Sequence, residues 1–417
     1  MKKHFLASIF LSIFALSAEE AQYGVSGNPG AVNIEVGTGK LGEFFRIPSD
    51  SGVRFGGVWM GDGNALLNGV DHTDWLTGNS SLILDLFVDF QKAVGWKGAF
   101  FGAEFLQFNG QSTNADAGVA QGYNSITGAP PLNRSELYQL WFLQKFWDGK
   151  LSFRIGKTVP IYHFNNVSKP VPTDNPAVSI PSVSGLIYTP LFVNTTMLEA
   201  IGGYYNSVYG AVATVAPVKE AYINLGFFDG NLARGVQTGL KGPHFNGYYF
   251  SIVEAGYGWA GTKPGIAALG GWYQSGLLER GSQHQRGTGG IYAFGSQALW
   301  TKTGDNQTNQ GNLSSFFQFG WNQAKTLPMN WFVGAGLTGF ALIPKRPNDS
   351  FGFGLAWSRL NPHLFERSSE LMLQGYYQLQ VRDSIYFQPV FSYVPNPGEH
   401  PNKSNVVAVT TRLIVLF

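Results

Sequence analysis

Apolar and polar residues alternate along most of the chain, in short segments that are separated by turn residues. Within residues 82–90 the even-numbered positions are all apolar, whereas Asp85 and Asp89 fall on the other face. Successive side chains of a strand point to opposite faces of the sheet. Carboxylates cannot face hydrocarbon cheaply, so this segment predicts a strand with lipid on one face and water on the other.

From residue 51 onward the alternation predicts about 16 strands, each close to the ~10-residue length that a tilted membrane strand needs. That number closes a barrel wide enough to leave an aqueous channel. The predicted fold class is therefore all-β, a transmembrane antiparallel barrel over residues 51–417 with a water-filled channel. The predicted strand spans are 51–60, 81–90, 97–108, 135–146, 150–157, 205–215, 219–229, 247–258, 264–274, 289–300, 313–322, 330–340, 350–359, 369–380, 384–394 and 404–417.

The connections between these spans differ in length and composition. The short turns at 147–150 and 382–383 suit the periplasmic end of a barrel, and the long polar stretches 110–134, 157–200 and 300–312 suit the external end. The 157–200 stretch carries six prolines, which exclude a strand there. We expect either a stiff loop that folds into the pore or a loop that stays on the surface.

Both ends of the chain indicate export to the outer membrane. Lys2 and Lys3 precede the apolar segment 5–16, which is too short to span a bilayer and predicts a signal peptide over about 1–21. A mobile amphipathic segment is the alternative. Residues 22–50 are Gly-rich and polar, and we expect a periplasmic or lumen segment. Phe417 ends an alternating segment and resembles the recognition signal of the barrel assembly machinery.

The amino-acid composition excludes several classes of function. Charged residues make up 13% of the 417, about half of the ~25% usual in soluble proteins, and no long apolar run follows residue 16. The net charge of +2 is too small to indicate nucleic acid. The absence of cysteine excludes disulfides, thiolate metal sites and cysteine catalysis. The seven His are far apart, so we predict no metal, no cofactor and no enzymatic activity.

Several separated blocks resemble the carbohydrate-selective porin family of the OprB type, in the family's order and over roughly residues 50–417. The most specific block runs from Arg134 to Trp141, continues through Gln144 and Phe146, and ends with residues 148–157. The further family-like blocks are 84–99, 270–273, 336–337, 344–349, 388–389 and 396–398. The resemblance implies a 16-stranded outer-membrane channel through which sugars and polyols diffuse.

A channel that favours sugars should offer aromatic faces for stacking and polar groups for hydroxyls, without one overwhelming charge. Arg154 leads the candidates because it lies in the most family-like strand, between Phe153 and Ile155, which face lipid. Each candidate is expected either to contact solute or to brace the wall. The candidate sugar-binding residues are Arg154, Glu254, Glu104, Arg134, Glu136, Lys157, Trp141, Arg412, Asp85 and Asp89.

Two other readings compete with a sugar-selective porin. One is a general or weakly anion-selective porin, which the sequence pI of 8.5 favours. The other is an adhesive surface protein whose barrel only displays loops, although the predicted loops are small for an adhesin. We expect sugars and outer-membrane lipid as partners. Homotrimers are common among porins, and the sequence leaves the oligomeric state open.

Overall fold

The computed structural model describes residues 27–34, 37–68, 76–127, 133–168, 182–202, 206–230, 242–302 and 311–417. The predicted signal segment and four prolines of the 157–200 stretch, at positions 170, 172, 176 and 181, lie outside these ranges. Within the described ranges no helix has the length and apolar character to cross a membrane.

The described residues form sixteen β-strands, which confirms the predicted fold class. Their bounds agree with the alternation closely. The strands are β1 (Val53–Asn68), β2 (Leu76–Asp89), β3 (Ala99–Asn109), β4 (Arg134–Phe146), β5 (Leu151–Thr158), β6 (Val208–Val218), β7 (Ala221–Asp229), β8 (Tyr249–Trp259), β9 (Gly265–Arg280), β10 (Gln283–Thr301), β11 (Asn312–Asn322), β12 (Met329–Phe340), β13 (Ser350–Leu360), β14 (Ser369–Arg382), β15 (Ile385–Pro395) and β16 (Asn405–Leu416).

Each strand pairs antiparallel with its neighbours along the chain, and β1 pairs with β16 to close the barrel. Asp62 lies opposite Arg412 in this closing pair. The pairing continues to the last residue, because the backbone of Phe417 exchanges two hydrogen bonds with Gly57, at 2.6 and 3.0 Å. A closed barrel leaves no strand edge unpaired in the membrane.

The alternation along each strand separates an apolar outer face from a polar inner face. In β5, Phe153 and Ile155 are 48% and 63% exposed on the outside, whereas Arg154 between them is 7% exposed and faces the lumen. In β7, Ile223 and Leu225 are likewise exposed outside, with Asn224 buried on the inner face. Hydrocarbon outside and water inside impose this period of two.

The predicted placement of the 300–312 stretch at the external end is wrong. Residues 303–310 lie outside the described ranges, but β10 ends at Thr301 and β11 begins at Asn312. In an up-and-down barrel connections alternate between the two ends, so Thr301 and Asn312, which flank this stretch, lie at the periplasmic end with the short turn 147–150. The end of the barrel at which a connection lies follows from the number of strands before it and not from the length of the connection.

Four strands extend five or more residues beyond their predicted spans. β1 continues to Asn68 rather than ending near 60, and β2 begins at Leu76 rather than at 81. β9 continues to Arg280, and β10 begins at Gln283. In residues 61–68 the outward positions include Gly61 and Gly63. Glycine carries no apolar side chain, so the alternation that marks a strand disappears there although the pairing continues.

Short helical turns interrupt the connections. α3 begins after Asp89, whose carboxylate accepts hydrogen bonds from the amides of Gln91 and Lys92 and so caps the helix. The α-helices are α1 (Pro29–Val32), α2 (Lys40–Phe44), α3 (Phe90–Val94), α4 (Thr113–Asp116) and α5 (Thr189–Phe192), and the 3₁₀ turns are Ser125–Thr127, Trp147–Gly149, Pro160–Tyr162 and Thr195–Met197.

Four segments fold into the barrel and pack against its inner wall: 27–34, 113–127, 159–168 and 182–202. Amide side chains of the wall hold the last of these. Gln374 accepts from the amides of Ile187 and Tyr188, at 2.6 and 3.2 Å, and Gln318 donates to the carbonyl of Leu191 at 3.1 Å. Buried backbone groups need such partners, so the described part of the 157–200 stretch is a fixed lumen segment rather than a surface loop.

Candidate functional site

Arg154 and Trp141 stack against each other on the inner wall. The guanidinium carbon of Arg154 lies 3.9 Å from the centroid of the Trp141 ring. The indole lies flat over Gly102 of β3, where a Cβ atom would come within 2.2 Å of the ring. Glycine at this position therefore allows the ring to lie along the wall. A cation over an aromatic face is attracted by the ring quadrupole, most strongly when water is excluded.

Glu104 begins a chain of hydrogen bonds that crosses three strands. Its carboxylate accepts from the amide of Gln139 at 2.7 Å, and the Gln139 oxygen accepts from the Thr158 hydroxyl at 2.9 Å. Because the Thr158 hydroxyl donates in that bond, it accepts from Nε2 of His163 at 3.2 Å. The chain links the wall to the inserted segment 159–168.

Arg134, Glu136 and Lys157 form a buried ion cluster near the external end of β4 and β5. The Glu136 carboxylate lies 3.4 Å from Arg134 Nε and 3.6 Å from Lys157 Nζ, and all three side chains are almost fully covered. Arg134 also donates to the side chain of Asn206 at 3.1 Å. Two cations around one carboxylate leave a local excess of positive charge at this height of the barrel.

Glu254 is fully buried, and its oxygens accept hydrogen bonds from three groups. These are the Tyr222 hydroxyl at 2.8 Å, the Tyr292 hydroxyl at 2.9 Å and the backbone amide of Asn165 at 2.6 Å. The carboxylate thus holds the inserted segment 159–168 against β7, β8 and β10. A charge buried this deeply requires several donors.

The remaining candidate residues also meet protein partners. Asp85 accepts from the amide of Gly37 at 2.8 Å, and Asp89 caps α3 at the periplasmic end. Arg412 donates to both carboxylate oxygens of Asp62, each at 2.8 Å. The structure therefore brings the candidates to the inner wall in several separate groups rather than in one pocket.

The family model described as carbohydrate-selective porin, OprB family, matches residues 81–417. This chain belongs to that family. It is similar to Porin B of Pseudomonas aeruginosa, with 22% identity in an alignment that covers 88% of each protein.

Two solved structures of Pseudomonas putida OprB have the same fold. The high-pH structure has a TM-score of 0.76 and 18% identity, covering 94% of this chain and 99% of that one. The low-pH structure has a TM-score of 0.57 and 16% identity, covering 91% and 97%. Family and fold together make the chain a carbohydrate-selective porin of the bacterial outer membrane.

Two wall carboxylates that hold inserted segments, Glu370 and Asp62, were missed from the sequence. Glu370 accepts from the backbone amides of Ala120, Gln121 and Gly398, at 3.0, 2.9 and 2.6 Å. Asp62 holds Asn124 in the same segment. The alternation that selected Asp85 also places Glu370 on the inner face, and it would have identified this residue. For Asp62 the neighbouring glycines hid the strand.

Within the described part of the porin, no group of three or more His, Cys, Asp or Glu side chains is arranged to hold a metal ion. The chemistry available on the inner wall is hydrogen bonding, ion pairing and aromatic stacking. These interactions can order a neutral polyol, and none of them requires a cofactor.

Proposed function

We propose that this porin lets neutral carbohydrates diffuse passively into the periplasm and that Arg154, stacked on Trp141, contacts them. The single observation that carries the sugar preference is the family match over residues 81–417. The inner wall supports it, since it carries carboxylates and cations together, and mixed charge does not select ions of one sign. The guanidinium offers a planar fork for paired hydroxyls.

The ten candidate residues divide by their contacts. For Asp85, Asp89, Glu104, Glu254 and Arg412 we propose the bracing role, since the hydrogen bonds that they make hold Gly37, a helix, the inserted segment 159–168 or the closing strand pair. The other candidates, which we propose as contacts of the solute or of its hydration water, are Arg154, Trp141, Arg134, Glu136 and Lys157.

Liposome swelling with monosaccharides, disaccharides and amino acids tests the sugar preference. Neutral hexoses should enter faster than amino acids of equal size, without an energy source. Equal rates for the two classes would favour a general porin.

Arg154→Ala should weaken the block of ion current by glucose or maltose and shift conductance toward cations, with the barrel assembled. A wall role predicts the opposite, a lower unfolding temperature with unchanged sugar block. Arg412→Ala is the matched control, since this arginine is paired at the closing seam.

We further propose that copies associate through the outer face of β16, β1, β2 and β3, forming a homotrimer. Part of this face carries glycine and polar residues. Gly63 is paired with Thr411 on one side and Gly78 on the other, and Gly61 is paired with Ser80. A groove of about 790 Å³ follows these residues. Polar side chains in hydrocarbon are costly, and a second copy would cover them.

Because the natural chain contains no cysteine, single cysteines report this contact cleanly. Ser80→Cys should cross-link copies in the membrane upon oxidation, whereas Leu269→Cys, which faces outward on β9, should not. Equal cross-linking of both variants would contradict the interface.

We also propose that the porin is not an enzyme, that it contacts outer-membrane lipid and that Phe417 directs it to the barrel assembly machinery.

A further inference from the structure

Three aromatic side chains lie together on the inner wall near the periplasmic end of β2, β3 and β4. Phe87 shares its face with inward Asp85, and it is paired with inward Gly102. The rings of Phe87 and Phe100 are stacked, with centroids 5.8 Å apart and planes 28° apart. The Trp141 ring lies 6.3 Å from Phe87. The three rings form a continuous aromatic surface across neighbouring strands.

Two cations complete this group, which we call the periplasmic cluster: Phe87, Phe100, Trp141, Lys145 and Arg154. Lys145 Nζ lies 4.7 Å from the Phe100 ring centroid, and the Arg154 guanidinium covers Trp141. Each cation thus lies over the face of an aromatic ring, which places its N–H donors next to an apolar surface. Arg54 of β1 is paired with Phe87, and its guanidinium donates to the carbonyl oxygen of Gly37 at 2.6 Å.

The exposure of the cluster distinguishes it from other aromatic groups on the inner wall. Phe250, Phe294 and Phe332 also face inward, and inserted segments and neighbouring side chains bury them completely. Phe87, Phe100 and Lys145 are only partly buried. Phe100 and Lys145 each lie one residue from the periplasmic end of their strand. Solvent therefore reaches Phe87 and Phe100 at the end of the lumen from which a solute leaves, whereas Trp141 and Arg154 are 3% and 7% exposed.

A pyranose presents C–H bonds on its flat faces and hydroxyls around its edge. The faces stack on aromatic rings, and the hydroxyls accept hydrogen bonds from ammonium and guanidinium donors. We propose that the periplasmic cluster is a sugar subsite at the exit of the channel, which takes a neutral pyranose unit. The inference rests on the proposed sugar passage, and it extends the contact at Arg154 and Trp141 toward the periplasm through Phe87, Phe100 and Lys145.

Sugar block of ion current in planar bilayers tests the subsite, with maltose added to one side at a time. The double variant Phe87→Leu/Phe100→Leu keeps apolar volume and removes the aromatic faces. It should lower the maltose binding constant by about fivefold, since aromatic pairs contribute about 0.5–1.5 kcal/mol beyond their area. The loss should be larger for maltose added from the periplasmic side, where the subsite is met first.

Phe101→Leu is the matched control, because Phe101 is the next residue on β3 and points to the lipid face. It should leave the block unchanged. Lys145→Gln removes one cation without touching the rings, and it should weaken maltose block about threefold, which is within the range of a typical net hydrogen bond, because glutamine keeps a neutral N–H donor. Heat-modifiable migration in gels verifies that each variant assembles.

Block that is equal in the wild-type porin, the double variant and Lys145→Gln overturns the subsite. So does a wild-type porin that passes sugars in swelling experiments without any block of current. Failure of the proposed function has another signature, which is equal swelling rates for hexoses and amino acids.

Discussion

Removing Arg412 tests the ion pair at the seam where the barrel closes. Arg412 Nε and Nη2 donate to the two oxygens of Asp62, each at 2.8 Å, and both side chains are at most 3% exposed. Loss of one partner of a buried ion pair costs about 3–5 kcal/mol, because the other charge stays buried without compensation. Asn124 still donates to Asp62 at 2.8 Å. We therefore expect Arg412→Ala to lower the free energy of unfolding by about 3 kcal/mol, the lower end of that range.

Urea unfolding in lipid vesicles, followed by tryptophan fluorescence, measures this loss. The double variant Asp62→Asn/Arg412→Gln removes both charges and keeps polar groups at the seam. It should lose less stability than Arg412→Ala, since no unpaired charge remains buried. Sugar block of current should be unchanged in Arg412→Ala. Unchanged stability together with weakened sugar block would refute the bracing role and return Arg412 to the solute contacts.

Glu370→Ala should release segment 113–127, because the amides of Ala120 and Gln121 lose their acceptor, and conductance fluctuations should then become larger. Glu366→Ala, at an exposed position, should leave conductance as it is. Deleting Phe417 should reduce the yield of heat-modifiable barrel, because it removes the two backbone hydrogen bonds to Gly57 and the terminal aromatic. Burial alone would raise the pKa of Asp349 in the β12–β13 turn, but hydrogen bonds from Arg346 and Tyr377 outweigh it and hold that pKa below its usual value. The stabilisation is thus present at neutral pH and lost as pH falls through the lowered pKa. Asp349→Asn should therefore lower the unfolding temperature at pH ~7, and this loss should become smaller as the pH is lowered, whereas an equal loss at every pH would contradict the role of Asp349.

Much of the barrel follows from the sequence alone. Alternation predicted the strands, because lipid on one face and water on the other impose a period of two on every segment. It placed Arg154 on the inner face from Phe153 and Ile155 alone, and the exposure of the two neighbours agrees. It failed where the outer face itself is not apolar, as in residues 61–68, which the structure adds to β1.

The contacts of the inner wall follow only from the tertiary structure. Arg412 and Asp62 are 350 positions apart, and strand closure and register bring them together. Whether an inward charge meets solute or protein depends on which connections fold into the lumen, and alternation within a strand contains no information about that. The sequence by itself determined the barrel and the direction of its side chains, since the two solvents act on each residue locally. The partners of Glu254 and the exposed aromatic cluster at the periplasmic end were decided by packing between segments distant in the chain.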